Sequence, residues 1–235
     1  DATGGGMLSA VEIVLVRHGQ PEWVRDGLNV GNPPLTELGR RQAQKMAETL
    51  AEEDFDEVLV SPLLRARQTA EPLFGRLGRE ETIAAWLEEI RDPIWHGTPA
   101  EKAQEAYDEM RSRPVEERWH GLDGGESVRE FTDRIRAGAR TFLRERGVER
   151  LDGDLPVFRV AEPGRRIALV AHAGTNSVTV SYLLGLQPTP WEWERFVIGH
   201  TSISRLTAFP VGDAHTFGLT RLSDLEHLDV DERTR

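Results

Sequence analysis

The stretch VEIVLVRHGQPEW, residues 11–23, decides the fold because it joins a buried strand to a polar turn. Residues 13–16 are apolar and mostly β-branched, which is typical of a strand covered on both faces of a sheet. Arg17 and His18 follow at once, and Gly19 permits a sharp turn and a close approach of its amide to a ligand. The stretch therefore predicts a parallel sheet with an anion site at the carboxyl ends of its strands.

The rest of the chain alternates strand and helix patterns, which indicates an α/β domain. Further strands are predicted at residues 57–60, 167–171, 202–209 and 216–220. Helices are predicted at residues 36–53, with Thr36 as N-cap, and at residues 63–77, 101–111, 127–146 and 176–184. We therefore expect a three-layer α/β/α sandwich with a mostly parallel central sheet.

Polar residues also stand at two other predicted strand ends. Arg65 lies in the first turn of the helix that follows residues 57–60, where anions are favoured. Arg67 on the same helix is interpreted as solvated. His172 ends the strand at residues 167–171. Because the carboxyl ends of parallel strands meet at one edge, these side chains are expected to share one phosphate or carboxylate site.

Composition narrows the class of partner. The formal net charge of −11 argues against a general binder of nucleic acid or of acidic membranes, since both reward a basic surface. The chain has no cysteine, which excludes disulfides and thiolate chemistry within it and fits a reducing cytoplasm. No apolar run reaches transmembrane length, and the first residues lack the pattern of a secretory signal. Cytoplasmic localisation is the resulting expectation.

The sequence resembles the histidine phosphatase superfamily, branch 1, which is also called the phosphoglycerate-mutase-like family. The resemblance spans nearly the whole chain, and its motifs come in the family's order. They are RHG (17–19), PPLTELGRRQA (33–43), SPLLRARQTA (61–70), LEEIRDPIWHG (87–97), GGES (124–127) and AHAG (171–174). Each motif is weak alone, but together they are specific. They imply a phosphoglycerate-mutase-like fold.

The resemblance also implies catalytic roles. His18 is expected to be the nucleophile that becomes phosphorylated. Arg17, Arg65 and a protonated His172 are expected to bind the phosphoryl oxygens, because phosphoryl transfer depends on positioning and charge neutralisation. Neither a metal ion nor another cofactor is implied.

The proton donor is expected at Glu89, where the family places a carboxylic acid for the leaving group. From the residues alone its neighbour Glu88 remains a rival, although the register of Leu-x-Glu-Ile with the following Trp95 and Gly97 favours Glu89. The acid segment departs from the family pattern at Pro93 and His96, which could lower the rate.

Four further residues are expected to contact the phosphate or the substrate. Gly19 and Ala173 would contribute backbone at the two histidine motifs. Asn29 would supply the hydrogen bond that the family often takes from an asparagine at the position of Val24. His200 precedes a predicted strand, where relatives often place a polar pocket residue.

These features predict a metal-independent phosphomonoester hydrolase with a phosphohistidine intermediate, acting on a small phosphorylated metabolite. One alternative is a phosphotransferase of the phosphoglycerate mutase type. We prefer the phosphatase because LEEIRDP does not match the Asn-Glu-Arg-like acid segment of mutases, and no adjacent pair of cap arginines follows. A catalytically weak anion-binding or regulatory relative is the non-enzyme alternative. A homodimer is compatible with the sequence.

The expected domain organisation follows the family. Residues 11–222 would form a single domain with a cap-like insertion around residues 92–127. Residues 151–166, which are polar and rich in proline and glycine, would be an inserted loop. Residues 1–10 are expected to be a flexible tail, and the acidic residues 223–235 a frayed one.

Overall fold

The computed structural model describes residues 10–235, so the predicted flexible tail lies, apart from Ala10, outside the described residues. The strands are β1 (Glu12–Arg17), β2 (Val24–Arg25), β3 (Leu28–Asn29), β4 (Glu57–Val60), β5 (Val148–Arg150), β6 (Phe158–Val160), β7 (Arg166–Ala171), β8 (Ile203–Val211) and β9 (Ala214–Asp224). The α-helices are α1 (Glu37–Leu50), α2 (Leu64–Leu77), α3 (Ala100–Ser112), α4 (Val128–Arg144), α5 (Ala173–Leu183) and α6 (Glu192–Arg195). In this part of the chain no helix is both long and apolar enough to cross a membrane.

Within the described residues, one seven-stranded sheet has the order β4-β7-β1-β8-β9-β6-β5. The strands β4, β7 and β1 pair in parallel, and the remaining neighbours pair antiparallel. Only β8 and β6 therefore run against the direction of the other strands. The predicted α/β fold with a mostly parallel central sheet is confirmed, and the parallel strands are those that carry the polar ends.

Alternate side chains of β1 divide the core into two layers. Ile13 and Leu15 pack with residues of α4 and α5 on one face of the sheet. Val14 and Val16 pack with residues of α1 and α2 on the other. All four are at most 1% exposed, and burial of each such side chain stabilises the fold by about 1.5–3 kcal/mol. This apolar run holds β1 in the middle of the sheet, with its end at the site.

The predicted helix starts at Thr36 and Ser127 are confirmed. Thr36 Oγ1 accepts a hydrogen bond from the Gly39 amide at 3.0 Å, and α1 begins at the next residue. Ser127 forms a reciprocal capping box with Glu130 at the start of α4. Both caps satisfy amides that a helix start leaves free, so local sequence suffices to place them.

The interpretation of residues 151–166 as an inserted loop is wrong for part of this segment. Residues 158–160 form β6, which joins β5 to β9 and extends the sheet. Phe158 is fully buried, with its ring 5.0 Å from Phe217 and 6.3 Å from Tyr182 between ring centroids. One buried aromatic anchors a strand too short to show a periodic pattern.

The expectation of a frayed tail at residues 223–235 is also wrong. β9 continues to Asp224, and residues 225–235, which we call the post-β9 segment, pack against α1. Leu228 is 2% exposed, and Lys45 Nζ lies 2.6 Å from carboxylate oxygens of both Asp229 and Glu232. The acidic composition that suggested a solvated tail instead complements basic side chains of α1.

Candidate active site

Three parallel strands end at one edge of the sheet and bring the predicted polar residues together. His18 follows β1, Ser61 follows β4 and His172 follows β7. His200, in the turn before β8, joins them. The ring centroid of His18 lies 5.2 Å from that of His172 and 5.6 Å from that of His200. The sheet order therefore assembles residues that are far apart in the chain.

His18 is 3% exposed and its two ring nitrogens have different partners. Nδ1 lies 2.7 Å from the carbonyl oxygen of Gly19, and because a carbonyl only accepts, Nδ1 carries the proton. Nε2 accepts a hydrogen bond from Arg65 Nε at 3.3 Å. Burial, followed by the nearby charge of Arg65, lowers the pKa of His18 well below its usual value. The ring is therefore neutral, with a lone pair on Nε2.

Two guanidinium groups act on the His18 ring, since the charges of Arg65 and Arg17 both lower its pKa. Arg17 Nη1 donates to the Ile198 carbonyl at 2.6 Å, and the guanidinium of Arg65 lies 4.8 Å from the centroid of Trp23. Within residues 10–235 neither guanidinium has a carboxylate oxygen within 4.0 Å. Burial lowers the pKa of Arg17 to about 10, opposed in part by Glu89. Buried cations without a counter-ion are costly, so this arrangement favours a bound anion.

His172 is held at the site by a contact with Ser61. Its Nε2 lies 2.7 Å from Ser61 Oγ, which itself accepts from the amide of Leu63 at 3.3 Å. The Ser61 hydroxyl offers Nε2 both its proton and its second lone pair, so the contact fits either neutral tautomer of His172, and Nδ1 is buried without a partner among residues 10–235. Burial, with the charges of Arg65 and Arg17, lowers the pKa of His172 well below its usual value. Desolvation thus keeps the His172 ring neutral in this structure, and the expected charge of His172 beside a bound phosphate stays a prediction.

His200 is 4% exposed, and its side chain connects the site to the post-β9 segment. Nδ1 lies 2.8 Å from Thr234 Oγ1. Nε2 is buried and has no hydrogen-bond partner among the residues the structure describes. Burial, with a further effect of Arg17, lowers the pKa of His200 to about 3. His200 is therefore a neutral ring with one unused nitrogen.

Glu89 is held at the start of α5. Its Oε2 accepts from the Gly174 amide at 2.9 Å, and its Oε1 accepts from the Thr175 amide at 3.2 Å. A Cβ atom at Gly174 would lie 2.6 Å from Oε1, so a larger residue there would displace the Glu89 carboxylate from this position. The rival Glu88 instead pairs with Arg91 at 2.9 Å. The geometry favours Glu89 as the carboxyl group of the site.

Gly19 has a different role from the one predicted. Its amide, expected to face a ligand, donates to Thr69 Oγ1 at 2.9 Å. A Cβ atom at Gly19 would lie 2.6 Å from the Gly39 carbonyl oxygen. The glycine is needed because the turn after β1 packs closely against α1. The Gly19 carbonyl, and not its amide, contributes to the site, because it accepts the hydrogen bond from His18 Nδ1.

Asn29 also differs from its prediction. Its Nδ2 donates to the Pro99 carbonyl at 2.8 Å and to Thr98 Oγ1 at 3.2 Å. The amide group therefore ties β3 to the start of α3 and does not offer its donor to a phosphate. Ala173 is the first residue of α5 and is half-buried. Its contact with the substrate stays a prediction.

A cleft of about 720 Å³ opens from the two arginines and Glu89. Its walls come from residues 23–32, residues 88–96 and α3. Two wall residues that the sequence analysis did not single out are Asp92 and Tyr107. The Tyr107 hydroxyl donates to Asp92 Oδ1 at 2.9 Å. No local pattern marks this pair, because the two residues meet only when α3 packs over the acid segment.

Comparisons with known proteins agree with this geometry. A sequence model of the histidine phosphatase superfamily (branch 1) matches residues 13–215. A probable phosphoglycerate mutase GpmB from Salmonella choleraesuis is 28% identical over 199 residues, covering 83% of this chain and 84% of the relative. The solved mycobacterial glucosyl-3-phosphoglycerate phosphatase in complex with VO3 is 26% identical, with a TM-score of 0.66 over 89% of this chain and 97% of that one. A structure named mycobacterial hydrolase 2 is 25% identical, with a TM-score of 0.69 over 94% of each chain.

Proposed function

Because the chain belongs to the histidine phosphatase superfamily, branch 1, we propose that it is a phosphomonoester hydrolase acting through a phosphohistidine intermediate. Its substrate would be a small phosphorylated metabolite. The observation that carries this proposal is the buried lone pair on His18 Nε2, because Arg65 contacts it, the charge of Arg17 also acts on the ring, and within residues 10–235 neither guanidinium has a carboxylate oxygen within 4.0 Å. A nucleophile and a phosphate-binding pair at one point supply the main requirements of phosphoryl transfer. The phosphatase among the compared structures supports the same activity.

In the first step, Arg17 and Arg65 hold the phosphoryl oxygens while His18 Nε2 attacks phosphorus. The P–N bond forms, the ester P–O bond breaks, and Glu89 in its protonated form gives a proton to the departing oxygen. In the second step, the Glu89 carboxylate takes a proton from water, and the resulting hydroxide attacks phosphorus. The P–N bond breaks, inorganic phosphate leaves the site, and His18 returns to its neutral form.

The Gly19 carbonyl supports both steps. Phosphorylation of Nε2 makes the imidazole cationic, and the hydrogen bond from Nδ1–H to the carbonyl oxygen strengthens with that charge. Because the pKa of His18 lies well below its usual value, the ring needs no deprotonation before it attacks. The pocket therefore holds the nucleophile in its reactive tautomer.

The charges along the cleft favour hydrolysis over a mutase reaction on phosphoglycerate. The arginines on the leaving-group side already have carboxylate partners. Arg91 pairs with Glu88 at 2.9 Å. Arg111 likewise pairs with Asp108 at 3.1 Å. Asp92, in contrast, has no lysine or arginine nitrogen within 4.0 Å in the described part of the chain. A carboxylate on the leaving group would meet this negative charge, whereas a hydroxyl or an ammonium group could donate to it.

We therefore expect the enzyme to prefer phosphate esters of alcohols that lack a carboxylate. Glycerol 3-phosphate and 3-phosphoglycerate differ by a hydroxymethyl group in place of the carboxylate, so they isolate this effect. We expect kcat/KM to be about tenfold higher for glycerol 3-phosphate, because one contact between like charges costs on the order of 1 kcal/mol or more. Phosphate release from both esters measures the ratio.

The matched variant for this test is Asp92→Asn, which removes the charge and should bring the two values closer together. An equal or higher kcat/KM for 3-phosphoglycerate in the wild type would contradict the preference. Interconversion of 2- and 3-phosphoglycerate, assayed in parallel, would favour the mutase alternative.

Activity is also expected to survive EDTA. The arginines supply the positive charge that stabilises the transferring phosphoryl group, so the proposed steps need no divalent cation. The test compares phosphate release before and after chelation, with magnesium or zinc added back to the chelated sample. A loss of activity that added metal restores would overturn the metal-independent scheme.

Three further expectations stay predictions. They are cytoplasmic localisation, the absence of a nucleic-acid partner and a homodimer.

A further inference from the structure

The buried Nε2 of His200 needs a hydrogen-bond partner. The centroid of the His200 ring lies 5.6 Å from that of His18. Among the described residues, no atom forms a hydrogen bond with this Nε2. A buried polar nitrogen without a partner is costly, so an arriving ligand that satisfies it gains affinity. Unprotonated phosphoryl oxygens only accept hydrogen bonds, and therefore Nε2 must carry a proton to bind one.

The proton position on His200 can be traced from Gln42, which is fully buried in α1. Gln42 Oε1 accepts from the Gln20 amide at 2.9 Å, which identifies the other end of the side chain as the donor. Gln42 Nε2 then donates to Thr234 Oγ1 at 2.9 Å and to the Glu232 carbonyl at 2.7 Å. Thr234 Oγ1 thus already accepts one hydrogen bond, and its own hydrogen is free.

That hydrogen has a close acceptor in His200 Nδ1, which is 2.8 Å from Thr234 Oγ1. The backbone of the two residues is also joined, because the His200 amide donates to the Thr234 carbonyl at 3.0 Å. If the hydroxyl donates to Nδ1, the single ring proton of the neutral imidazole lies on Nε2. The pKa of His200, lowered to about 3, keeps the ring neutral at working pH.

We propose that Thr234 of the post-β9 segment is a positioning residue that sets the tautomer of His200, so that Nε2–H donates a hydrogen bond to the phosphoryl group. This inference rests on the proposed function for the identity of the anion. The hydroxyl is oriented by Gln42, and the segment is held on α1 by Lys45. A neutral donor of this kind keeps its proton across the working pH range, unlike a histidinium.

The test uses three variants of the full chain. Thr234→Val keeps the shape of the side chain but removes the hydroxyl, and Thr234→Ser restores it. Thr49→Val is the matched control, because it makes the same change at an exposed threonine of α1, whose hydroxyl donates to the Lys45 carbonyl at 3.2 Å and takes no part in the Gln42–Thr234–His200 hydrogen bonds. The quantities measured are the inhibition constant of inorganic phosphate, KM and kcat.

We expect Thr234→Val to raise the inhibition constant of phosphate and lower kcat/KM by about tenfold, the loss of one hydrogen bond to a charged group. Thr234→Ser and Thr49→Val should remain close to the wild type. Nitrogen-15 NMR of the histidine side chains should show the Nε2–H tautomer for His200 in the wild type. A pH titration from about 5 to 9 should show no ionisation of this ring.

Two results would overturn the inference: an Nδ1–H tautomer for His200 in the wild type, or unchanged phosphate inhibition in Thr234→Val. The NMR measurement needs no variant, so it decides the question even if Thr234→Val does not fold. Failure of the proposed function looks different. The wild type would then release no phosphate from any ester, while direct phosphate binding could still depend on Thr234.

Discussion

The His18→Ala variant is expected to lose phosphate release, with kcat for p-nitrophenyl phosphate lowered by about 10³-fold or more. The reason is that alanine removes the Nε2 lone pair, which the Gly19 carbonyl and Arg65 hold in the reactive tautomer. The arginines would still bind phosphate esters in this variant. We therefore expect kcat to fall far more than the affinity for phosphate.

Two measurements separate this mechanism from a general loss of structure. The wild type should form an acid-labile phosphoenzyme on rapid quenching, and His18→Ala should not. His120→Ala, which changes an exposed histidine outside the cleft, is the matched control and should keep full activity. Circular dichroism and thermal unfolding check that His18→Ala is folded. A folded His18→Ala protein with normal turnover would rule out the phosphohistidine mechanism.

The Glu89→Gln variant is expected to separate substrates by their leaving groups. An alkyl alkoxide must receive a proton as it departs, so hydrolysis of glycerol 3-phosphate should fall by about 10²–10⁴-fold. Nitrophenolate is stable without that proton, so p-nitrophenyl phosphate should lose much less. Comparison of kcat for the two esters in the wild type and in Glu89→Gln gives the measurement.

Glu88→Gln is the matched control for this experiment. Glu88 is the neighbouring carboxylate that also lines the cleft, but it pairs with Arg91. Its replacement should therefore leave both rates nearly unchanged. Equal losses on both esters in Glu89→Gln would argue against Glu89 as the acid. A larger loss of kcat on glycerol 3-phosphate than on p-nitrophenyl phosphate in Glu88→Gln would then identify Glu88 as the acid.

The predicted strand ends and helix starts were the reliable part of the sequence analysis. The apolar run before Arg17 predicted a central strand, and Thr36 and Ser127 predicted the helix starts where the structure has them. These features depend on periodicity and capping, which act within a few residues of the chain. The meeting of His18 and His172 could also be predicted, because the carboxyl ends of parallel strands share one edge.

Other predictions failed where partners are distant in the chain. The Gly19 amide binds Thr69, and the Asn29 amide group binds the start of α3. Residues 158–160 joined the sheet because one buried phenylalanine anchors them. The post-β9 segment was expected to be frayed, because its charge pattern gives no sign of the complementary side chains of α1.

The sequence by itself determined the α/β fold, the family and the residues that converge at the carboxyl edge of the sheet, since hydrophobic periodicity and short motifs are local properties. Only the tertiary structure decided the protonation of the histidines, because burial beside Arg17 and Arg65 lowers the pKa of His18 and His172. It also decided that Thr234 reaches His200. Desolvation and hydrogen bonding depend on which atoms become neighbours after folding, and no local pattern contains that information.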